Sequence, residues 1–221
     1  MIKAVIFDLD GVLIDSVHLH CKAFMEAFKE FGIEGDEKKV MEMMGESAWR
    51  IIEKAALKKI SDEEAIRIRN RKTEIYQSLL GDNPEKVVVP KARELIDKLR
   101  GLGLKLALAT GTRRTNVEKV LPFIGRFDVV VAVEDVKRSK PDPEIFLKAC
   151  AELGVKPSEA VIVEDSVYGV LAGKRAGAMV IAIEGTFSRG RLLEAGADFV
   201  ASSLADVLEI VRGLVKEKKG Q

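Results

Sequence analysis

Four carboxylates stand where short apolar runs of the sequence end. They are Asp8, Asp10, Glu164 and Asp165. Because ligands of open parallel sheets lie beyond the carboxyl ends of the strands, we expect these side chains to meet at one edge of a sheet. Several carboxylates without histidine or cysteine suit a hard cation such as Mg²⁺, which binds through one or two carboxylates, water and substrate phosphate. The sequence therefore predicts a magnesium site.

A hydroxyl group and a lysine are expected at the same edge. Thr110 and Gly111 follow another apolar run, and Lys140 lies in the loop after the next one. Asp8 and Asp10 are two residues apart at a strand end, so one can act as a nucleophile and the other as an acid or base. A cation and Lys140 can neutralise the repulsion between a carboxylate and a phosphate, while Thr110 and the backbone N–H groups around Gly111 hold phosphoryl oxygens. The set predicts phosphoryl transfer through an aspartyl phosphate.

Five short, almost continuous apolar runs have the composition of strands that are buried on both faces. They cover residues 4–7, 104–109, 129–133, 160–163 and 179–183. Stretches with helical spacing lie between and after them, including residues 91–100, 145–153 and 204–215. Because strands and helices alternate, we predict an α/β fold with a parallel sheet and helices on both faces.

The connection between the first two predicted strands is far longer than a βαβ unit of about 30 residues needs. Residues 16–88 are surplus, and their pattern is helical, with an apolar stripe that begins at Cys21 and Phe24 and a capping box that starts at Ser61. We predict a core of residues 1–15 and 89–221, and an inserted helical domain of residues 16–88, called the cap segment below. Its expected hinges lie at residues 15–17 and 81–84.

Composition narrows the function classes. The chain has 221 residues, of which 47% are hydrophobic and 32% charged, and its net charge of +1 gives no overall field that would attract nucleic acid or anionic lipid. Cys21 and Cys150 cannot form a disulfide framework, and no apolar run approaches the roughly 18 residues of a membrane span. We expect a cytoplasmic protein without nucleic-acid or membrane partners, and the sequence leaves its oligomeric state open.

Four segments of the chain carry a family resemblance. They read FDLDGVLIDS at residues 7–16, ATGT at 109–112, KPDP at 140–143 and VEDS at 163–166. In order and spacing they resemble the four motifs of the haloacid dehalogenase superfamily, over essentially the whole chain. The resemblance implies a Rossmann-like, doubly wound core with a helical cap inserted after the first motif, in agreement with the long connection.

The resemblance also implies roles for individual residues. Asp8 would be the nucleophile and Asp10 the general acid/base, with Thr110 and Lys140 binding phosphate. The implied magnesium ligands are Asp8, the Asp10 carbonyl, Glu164 and Asp165. A second aspartate two residues after the nucleophile is typical of the phosphatase and mutase branches, since dehalogenases lack it. A Mg²⁺-dependent phosphatase of a small phosphorylated metabolite, such as a sugar phosphate or a phosphoglycolate-like compound, is the implied function.

Residues of the cap segment are further candidates for substrate contact. His20 lies where members resembling β-phosphoglucomutase have a histidine near the leaving group, although a helix residue packed one turn from Phe24 would give the same pattern. Arg50 and its neighbour Trp49 would contact substrate from the loop of residues 44–50. A solvated arginine and a buried tryptophan are the structural alternatives.

Other functions remain open on the sequence. A phosphosugar mutase is the nearest alternative, but Met44 and Ala48 occupy the places where the mutase pattern has a lysine and an arginine. A phospho-acceptor signalling domain uses a similar acidic cluster, yet has no reason to carry a cap segment. A catalytically inert binding protein is the last alternative, although each motif position holds a chemically competent residue. The identity of the phosphorylated substrate cannot be read from the sequence.

Overall fold

The computed structural model describes residues 1–216, so residues 217–221 of the predicted core lie outside the described chain. A six-stranded parallel sheet forms the centre of the described part. Its strands are β1 (Ala4–Phe7), β2 (Lys105–Ala109), β3 (Val129–Val131), β4 (Ala160–Glu164), β5 (Met179–Ile183) and β6 (Phe199–Ala201). The spatial order is β3-β2-β1-β4-β5-β6, so the chain reverses its direction of winding beside β1. In such sheets a crevice opens at this point, at the carboxyl ends of the strands.

The five predicted strands are confirmed, and the predicted α/β fold is correct. Strand β3 ends two residues earlier than expected, because Val133–Asp135 turns into a 3₁₀ helix. Strand β6 was not predicted. It has only three residues at the edge of the sheet, and Phe199 is 37% exposed, so it lacks the continuous apolar run of a buried strand.

Ten α helices surround the sheet or lie in the cap segment within residues 1–216. They are α1 (Val17–Glu30), α2 (Glu37–Glu42), α3 (Ala48–Ala55), α4 (Asp62–Leu80), α5 (Ala92–Gly101), α6 (Arg114–Val120), α7 (Glu144–Leu153), α8 (Val167–Ala176), α9 (Arg189–Glu194) and α10 (Leu204–Lys216). Helix α5 packs beside α10, and α7 packs beside α8. Strands β1 and β4 are buried along their whole length, as a sheet covered on both faces requires.

The cap segment is built from α1 to α4. Helix α1 packs mainly against α4 and buries Cys21, Phe24 and Phe28, while Phe31 at the end of the stripe is only half-buried. The predicted capping box is present at the start of α4. Ser61 Oγ accepts a hydrogen bond from the Glu64 N–H at 3.2 Å, and the Ser61 N–H donates to Glu64 Oε2 at 3.1 Å.

The two connections between the core and the cap segment run side by side. Ile14 forms an antiparallel bridge with Val88, and the Asp15 N–H donates to the Val87 carbonyl at 2.7 Å. The return connection therefore lies a few residues after the turn at 81–84, and residues 16–88 as a separate domain stay a prediction. None of the helices described in residues 1–216 is long and apolar enough to cross a bilayer.

Candidate active site

The ends of three neighbouring strands bring the candidate residues together. Phe7 at the end of β1 is in register with Leu108 of β2 and Val163 of β4. Lys140 reaches the same edge from the loop between β3 and α7. The polar side chains that meet there and are buried are those of Asp8, Thr110, Lys140, Glu164 and Asp165. The structure thus brings these side chains together at one edge of the sheet.

Asp8, Glu164 and Asp165 form a compact acidic cluster. One carboxylate oxygen of each lies within 4.8 Å of the others. Burial raises the pKa of Asp8 to about 7, opposed by Lys140 and reinforced by neighbouring carboxylates. Burial, together with the charges of Glu164 and Asp8, also raises the pKa of Asp165 well above its usual range. A buried set of carboxylate oxygens of this kind is chemically suited to a hard cation such as Mg²⁺.

Lys140 supplies a fixed positive charge beside this cluster. Its Nζ atom lies 3.0 Å from Asp8 Oδ1 and 2.5 Å from Glu164 Oε1. Burial by itself would lower the pKa of Lys140, but the two carboxylates outweigh it and raise that pKa above its usual range. Asp8 Oδ1 accepts no well-aligned hydrogen bond within residues 1–216, so its contact with Lys140 is an ion pair. Lys140 therefore stays charged and supplies a counter-charge to both carboxylates.

Glu164 fixes the loop that follows β4. Its Oε2 atom accepts hydrogen bonds from the N–H groups of Asp165 and Ser166 at 3.0 and 3.1 Å, and from Ser166 Oγ at 3.0 Å. The space for this carboxylate exists because residue 169 is glycine, where a Cβ atom would lie 1.9 Å from Glu164. Both Glu164 oxygens are engaged, so its geometry fits a residue that holds Lys140 and the loop. A direct metal contact by Glu164 stays a prediction.

Thr110 and Gly111 form the turn after β2. The Thr110 side chain is buried, and its Oγ1 accepts a hydrogen bond from the Thr112 N–H at 3.0 Å. Gly111 is exposed and lines the space above the acidic cluster together with Thr112. Thr110 is not among the residues that line this space, so phosphate contacts by Thr110 and Gly111 stay predictions.

Asp10 lies in a different environment from Asp8. Its carboxylate accepts hydrogen bonds from Ser16 Oγ at 2.5 Å and Thr112 Oγ1 at 2.6 Å, and it lies 2.9 Å from His20 Nε2. Burial alone would raise the pKa of Asp10, but His20 and these hydrogen bonds hold it below its usual range. The Asp10 side chain is not part of the acidic cluster, and a metal contact through the Asp10 carbonyl stays a prediction.

His20 connects Asp10 to a lysine that the sequence did not reveal. Lys72 Nζ lies 2.7 Å from His20 Nδ1, and the His20 ring stacks on Tyr76 with centroids 4.0 Å apart. Burial lowers the pKa of Lys72 to about 8. Burial and the charge of Lys72 also lower the pKa of His20. At neutral pH His20 is therefore mainly neutral, with Nδ1 accepting from Lys72 and Nε2–H donating to Asp10.

Thr186, in the loop between β5 and α9, is a second residue that sequence reasoning missed. Its Oγ1 atom donates a hydrogen bond to Asp165 Oδ2 at 2.5 Å. Gly11, which has a φ of +75°, approaches the same oxygen, because a Cβ atom there would lie 1.9 Å from Asp165 Oδ2. The Thr186 hydroxyl and the absence of a side chain at Gly11 together fix the position of this oxygen.

A cavity of about 450 Å³ lies between the core and the cap segment beside the acidic cluster. His20, Trp49, Gly111 and Lys140 line it, and a substrate contact by His20 or Trp49 stays a prediction. Arg50 is not among the lining residues. It is exposed, and its Nε atom lies 3.8 Å from Glu46 Oε2. A contact between Arg50 and substrate stays a prediction.

A family model and several known phosphatases are similar to this chain in sequence. The family model of haloacid dehalogenase-like hydrolases matches residues 5–183. Validoxylamine A 7'-phosphate phosphatase of Streptomyces hygroscopicus subsp. limoneus is 32% identical over 94% of this chain and 96% of its own length. The phosphorylated carbohydrates phosphatase of Thermotoga maritima is 34% identical over 88% of this chain and 92% of its own.

A solved structure also resembles this chain. The β-phosphoglucomutase of Clostridium difficile matches with a TM-score of 0.83 and 25% identity, covering 100% of both chains. Phosphatases and a mutase are thus both similar to this chain along most of its length. The family resemblance inferred from the four motifs is confirmed.

Proposed function

The chain belongs to the haloacid dehalogenase-like hydrolases, and we propose that it is a magnesium-dependent phosphatase of a small phosphorylated metabolite. The observation that carries the proposal is the contrast between Asp8 and Asp10. Asp8 lies among carboxylates beside Lys140, with one oxygen that accepts no aligned hydrogen bond from the described residues. Asp10 is held away from that cluster by Ser16, His20 and Thr112. Two carboxylates in such different environments suit two different roles.

Asp8 acts as the nucleophile in the first half of the reaction. An Asp8 oxygen bonds to phosphorus, the bond from phosphorus to the leaving oxygen breaks, and a proton from Asp10 goes to that oxygen. The approach of the phosphate dianion favours protonation of Asp10, because a nearby negative charge raises the pKa of a carboxyl group. Lys140 offsets the repulsion between the Asp8 carboxylate and the phosphate.

In the second half of the reaction, a water molecule hydrolyses the aspartyl phosphate. The Asp10 carboxylate takes a proton from a water molecule, the water oxygen bonds to phosphorus, and the bond from phosphorus to Asp8 breaks. Asp10 is ionised at the start of this step because it has given its proton to the leaving oxygen in the first half. The Thr110 hydroxyl and the N–H groups of the following turn hold the phosphoryl oxygens in both halves.

The acidic cluster is the place for Mg²⁺. Asp8, Asp165 and the Asp10 carbonyl would hold it, with Glu164 beside them. When bound there, Mg²⁺ supplies positive charge that stabilises the negative phosphoryl oxygens. The crowding of three buried carboxylates, with burial and mutual charge raising the pKa values of Asp8 and Asp165, supports this assignment.

The substrate is proposed to be a sugar phosphate or a phosphoglycolate-like compound. Two of the phosphatases similar to this chain are named for validoxylamine A 7'-phosphate and for phosphorylated carbohydrates, which supports this class. The likeness to β-phosphoglucomutase favours a phosphosugar mutase as the second candidate. We rank it second because Met44 is buried and Ala48 is small, so neither offers the charged contact of the mutase pattern.

A phosphate-release assay tests the proposal. The protein is incubated with a panel of phosphorylated metabolites and a small aryl phosphate, with Mg²⁺ present and after exhaustive chelation. We expect phosphate release that needs Mg²⁺, and no conversion of a sugar 1-phosphate into its 6-phosphate. Full turnover after chelation would contradict the magnesium requirement, and isomer formation without phosphate release would favour the mutase.

A further inference from the structure

Glu46, in the loop of residues 44–50, lies at the junction of two spaces between the core and the cap segment. It lines the cavity of about 450 Å³ and also a smaller space of about 140 Å³ that Asp8 and Asp165 line. The transferred phosphate is expected in the smaller space, because the proposed nucleophile lines it, and the leaving group is expected in the larger one. Glu46 therefore lies beside the part of the leaving group that is next to the phosphate.

The charge of Glu46 sets it apart from the other residues of the larger cavity. Among the described residues that line this cavity, Glu46 carries the one carboxylate, and its side chain is only 9% exposed. Lys72 and Lys140 line both spaces as well, but each is already engaged in the contacts described above. A negative charge without a strong counter-charge is thus present where the leaving group begins.

One oxygen of Glu46 has capacity for a further hydrogen bond. Its Oε1 atom accepts from the Ser47 N–H at 2.9 Å. Its Oε2 atom lies 3.8 Å from Arg50 Nε, which is beyond hydrogen-bond distance, and the Arg50 side chain is 57% exposed, so this ion pair is weak. Because an ionised carboxylate only accepts hydrogen bonds, Oε2 can receive a donor from a ligand.

The residues on either side of Glu46 hold it in place. Gly45 has a φ of +94° and approaches the core so closely that a Cβ atom there would lie 2.3 Å from Ser166 Oγ. On the other side, Ser47 Oγ accepts a hydrogen bond from the Arg50 N–H at 3.3 Å and caps α3. Because both neighbours are anchored, the Glu46 carboxylate is positioned before a ligand arrives.

We propose that Glu46 is a specificity-determining residue that accepts hydrogen bonds from hydroxyl groups of the leaving group and repels a carboxylate at the same place. The preferred substrates are then sugar or polyol phosphates, and phosphoglycolate-like compounds are poor substrates. This inference rests on the proposed phosphatase function and chooses between the two substrate classes named there. A second carboxylate brings no proton for a hydrogen bond, and like charges close together in a site shielded from water oppose binding.

Two matched pairs of small phosphate monoesters test this role. The members of a pair have the same number of carbon atoms and differ only in a terminal hydroxymethyl or carboxylate group. One pair is 2-hydroxyethyl phosphate and phosphoglycolate, and the other is glycerol 3-phosphate and 3-phosphoglycerate. Propyl phosphate, which has neither group, is the reference compound. We would measure kcat/KM with Mg²⁺ for the wild type, for Glu46→Gln and for the control Glu53→Gln, because Glu53 is exposed on α3.

We expect the wild type to prefer the alcohol of each pair about tenfold or more over the acid. Glutamine has nearly the same shape as glutamate but no charge. Relative to propyl phosphate, Glu46→Gln should therefore raise kcat/KM for the acids by about fivefold or more and lower it for the alcohols. Glu53→Gln should leave the preference within about twofold. A wild-type preference for the acids, no preference, or an equal effect of Glu46→Gln on all five compounds would overturn the proposal.

Binding measurements separate this proposal from the phosphatase function. Dissociation constants of the same five compounds are measured by calorimetry with Mg²⁺ on the Asp8→Asn protein, with and without Glu46→Gln, so that no turnover occurs. The alcohols should again bind more tightly than the acids, and Glu46→Gln should reduce the difference. An absence of phosphate release in the separate aryl phosphate assay would refute the phosphatase function, whereas these dissociation constants would still decide the role of Glu46.

Discussion

Asp10 Oδ1 lies 2.9 Å from His20 Nε2, so the proposed acid/base is held by a side chain of the cap segment. His20 is in turn fixed by its stacking on Tyr76 and its contact with Lys72, both on α4. The orientation of Asp10 therefore depends on how the cap segment sits over the core. This relationship explains how the helical insertion can influence the acid/base step.

Replacing His20 with alanine should affect substrates unequally. Asp10 would lose one orienting contact, which matters for a metabolite whose leaving oxygen must receive a proton. We expect kcat/KM for the best metabolite to fall about tenfold or more, and kcat/KM for an activated aryl phosphate to change little. His18→Ala is the control, because His18 is exposed on the same helix. Equal losses of kcat/KM on both substrates would show that His20 acts by packing and not by orienting Asp10.

Asp10→Asn should slow both halves of the reaction. Asparagine cannot donate the proton to the leaving oxygen or accept one from water, and each loss costs roughly 10² to 10⁴ in rate. With a substrate that has a good leaving group, the aspartyl phosphate should accumulate. Rapid-quench measurement of enzyme-bound and free phosphate checks this. Unchanged rates of both steps would remove Asp10 from the acid/base role.

Asp8→Asn should abolish turnover and leave the fold intact. The amide has nearly the same shape as the carboxyl group but cannot act as an anionic nucleophile. Phosphate release is measured together with circular dichroism and the melting temperature. Mass spectrometry must show that the asparagine has not deamidated. An active, intact Asp8→Asn protein would rule out Asp8 as the nucleophile.

The candidate residues at the ends of strands could be predicted because their signals are local. Asp8 and Glu164 sit at the ends of apolar runs, and the parallel sheet places such ends at one edge. Lys72 and Thr186 could not be predicted in this way. They lie 52 and 21 residues from the partners that they contact, His20 and Asp165, and nothing in their local sequence marks those contacts.

Two arginines of the cap segment show that the sequence does not reveal which side chain of a helix faces the cavity. The sequence pointed to Arg50 and its neighbour Trp49 as substrate contacts from the loop of residues 44–50. In the structure Arg50 is exposed beside Glu46, and Arg69 lines the cavity instead. Which arginine faces the cavity depends on how α3 and α4 are rotated against their neighbours. That rotation is set by the packing of buried residues such as Ile68 rather than by the arginines.

Thr186→Val should weaken Mg²⁺ binding. The hydroxyl fixes one oxygen of Asp165, and loss of a group that orients a metal ligand typically lowers metal affinity by about tenfold or more. Calorimetric titration with Mg²⁺ measures this directly and does not depend on turnover. Thr186→Ser keeps the hydroxyl and should retain most of the affinity. Equal affinities of the wild type and Thr186→Val would show that Thr186 does not position Asp165.

Lys72→Met should change the pH dependence of stability in a definite direction. Burial lowers the pKa of Lys72 to about 8 from 10.5 in the unfolded chain, so between these values the unfolded protein binds more protons. The wild type therefore gains stability from this group as the pH rises from 8 toward 10.5 and lacks that gain at pH 7. Methionine does not titrate. We expect the unfolding free energy of Lys72→Met minus that of the wild type to fall by about 1 to 2 kcal/mol between pH 7 and pH 10.

Urea denaturation at a series of pH values measures this difference, and the other lysines cancel because both proteins contain them. Lys54→Met is the control, since Lys54 is half-exposed on α3 within the same cap segment. Its difference from the wild type should not vary with pH in this way. If the Lys72→Met difference were also constant from pH 7 to pH 10, Lys72 would have an ordinary pKa. Lys72 would then carry a full positive charge beside His20 across the neutral range, and His20 would be held still more firmly in the neutral form that donates from Nε2 to Asp10.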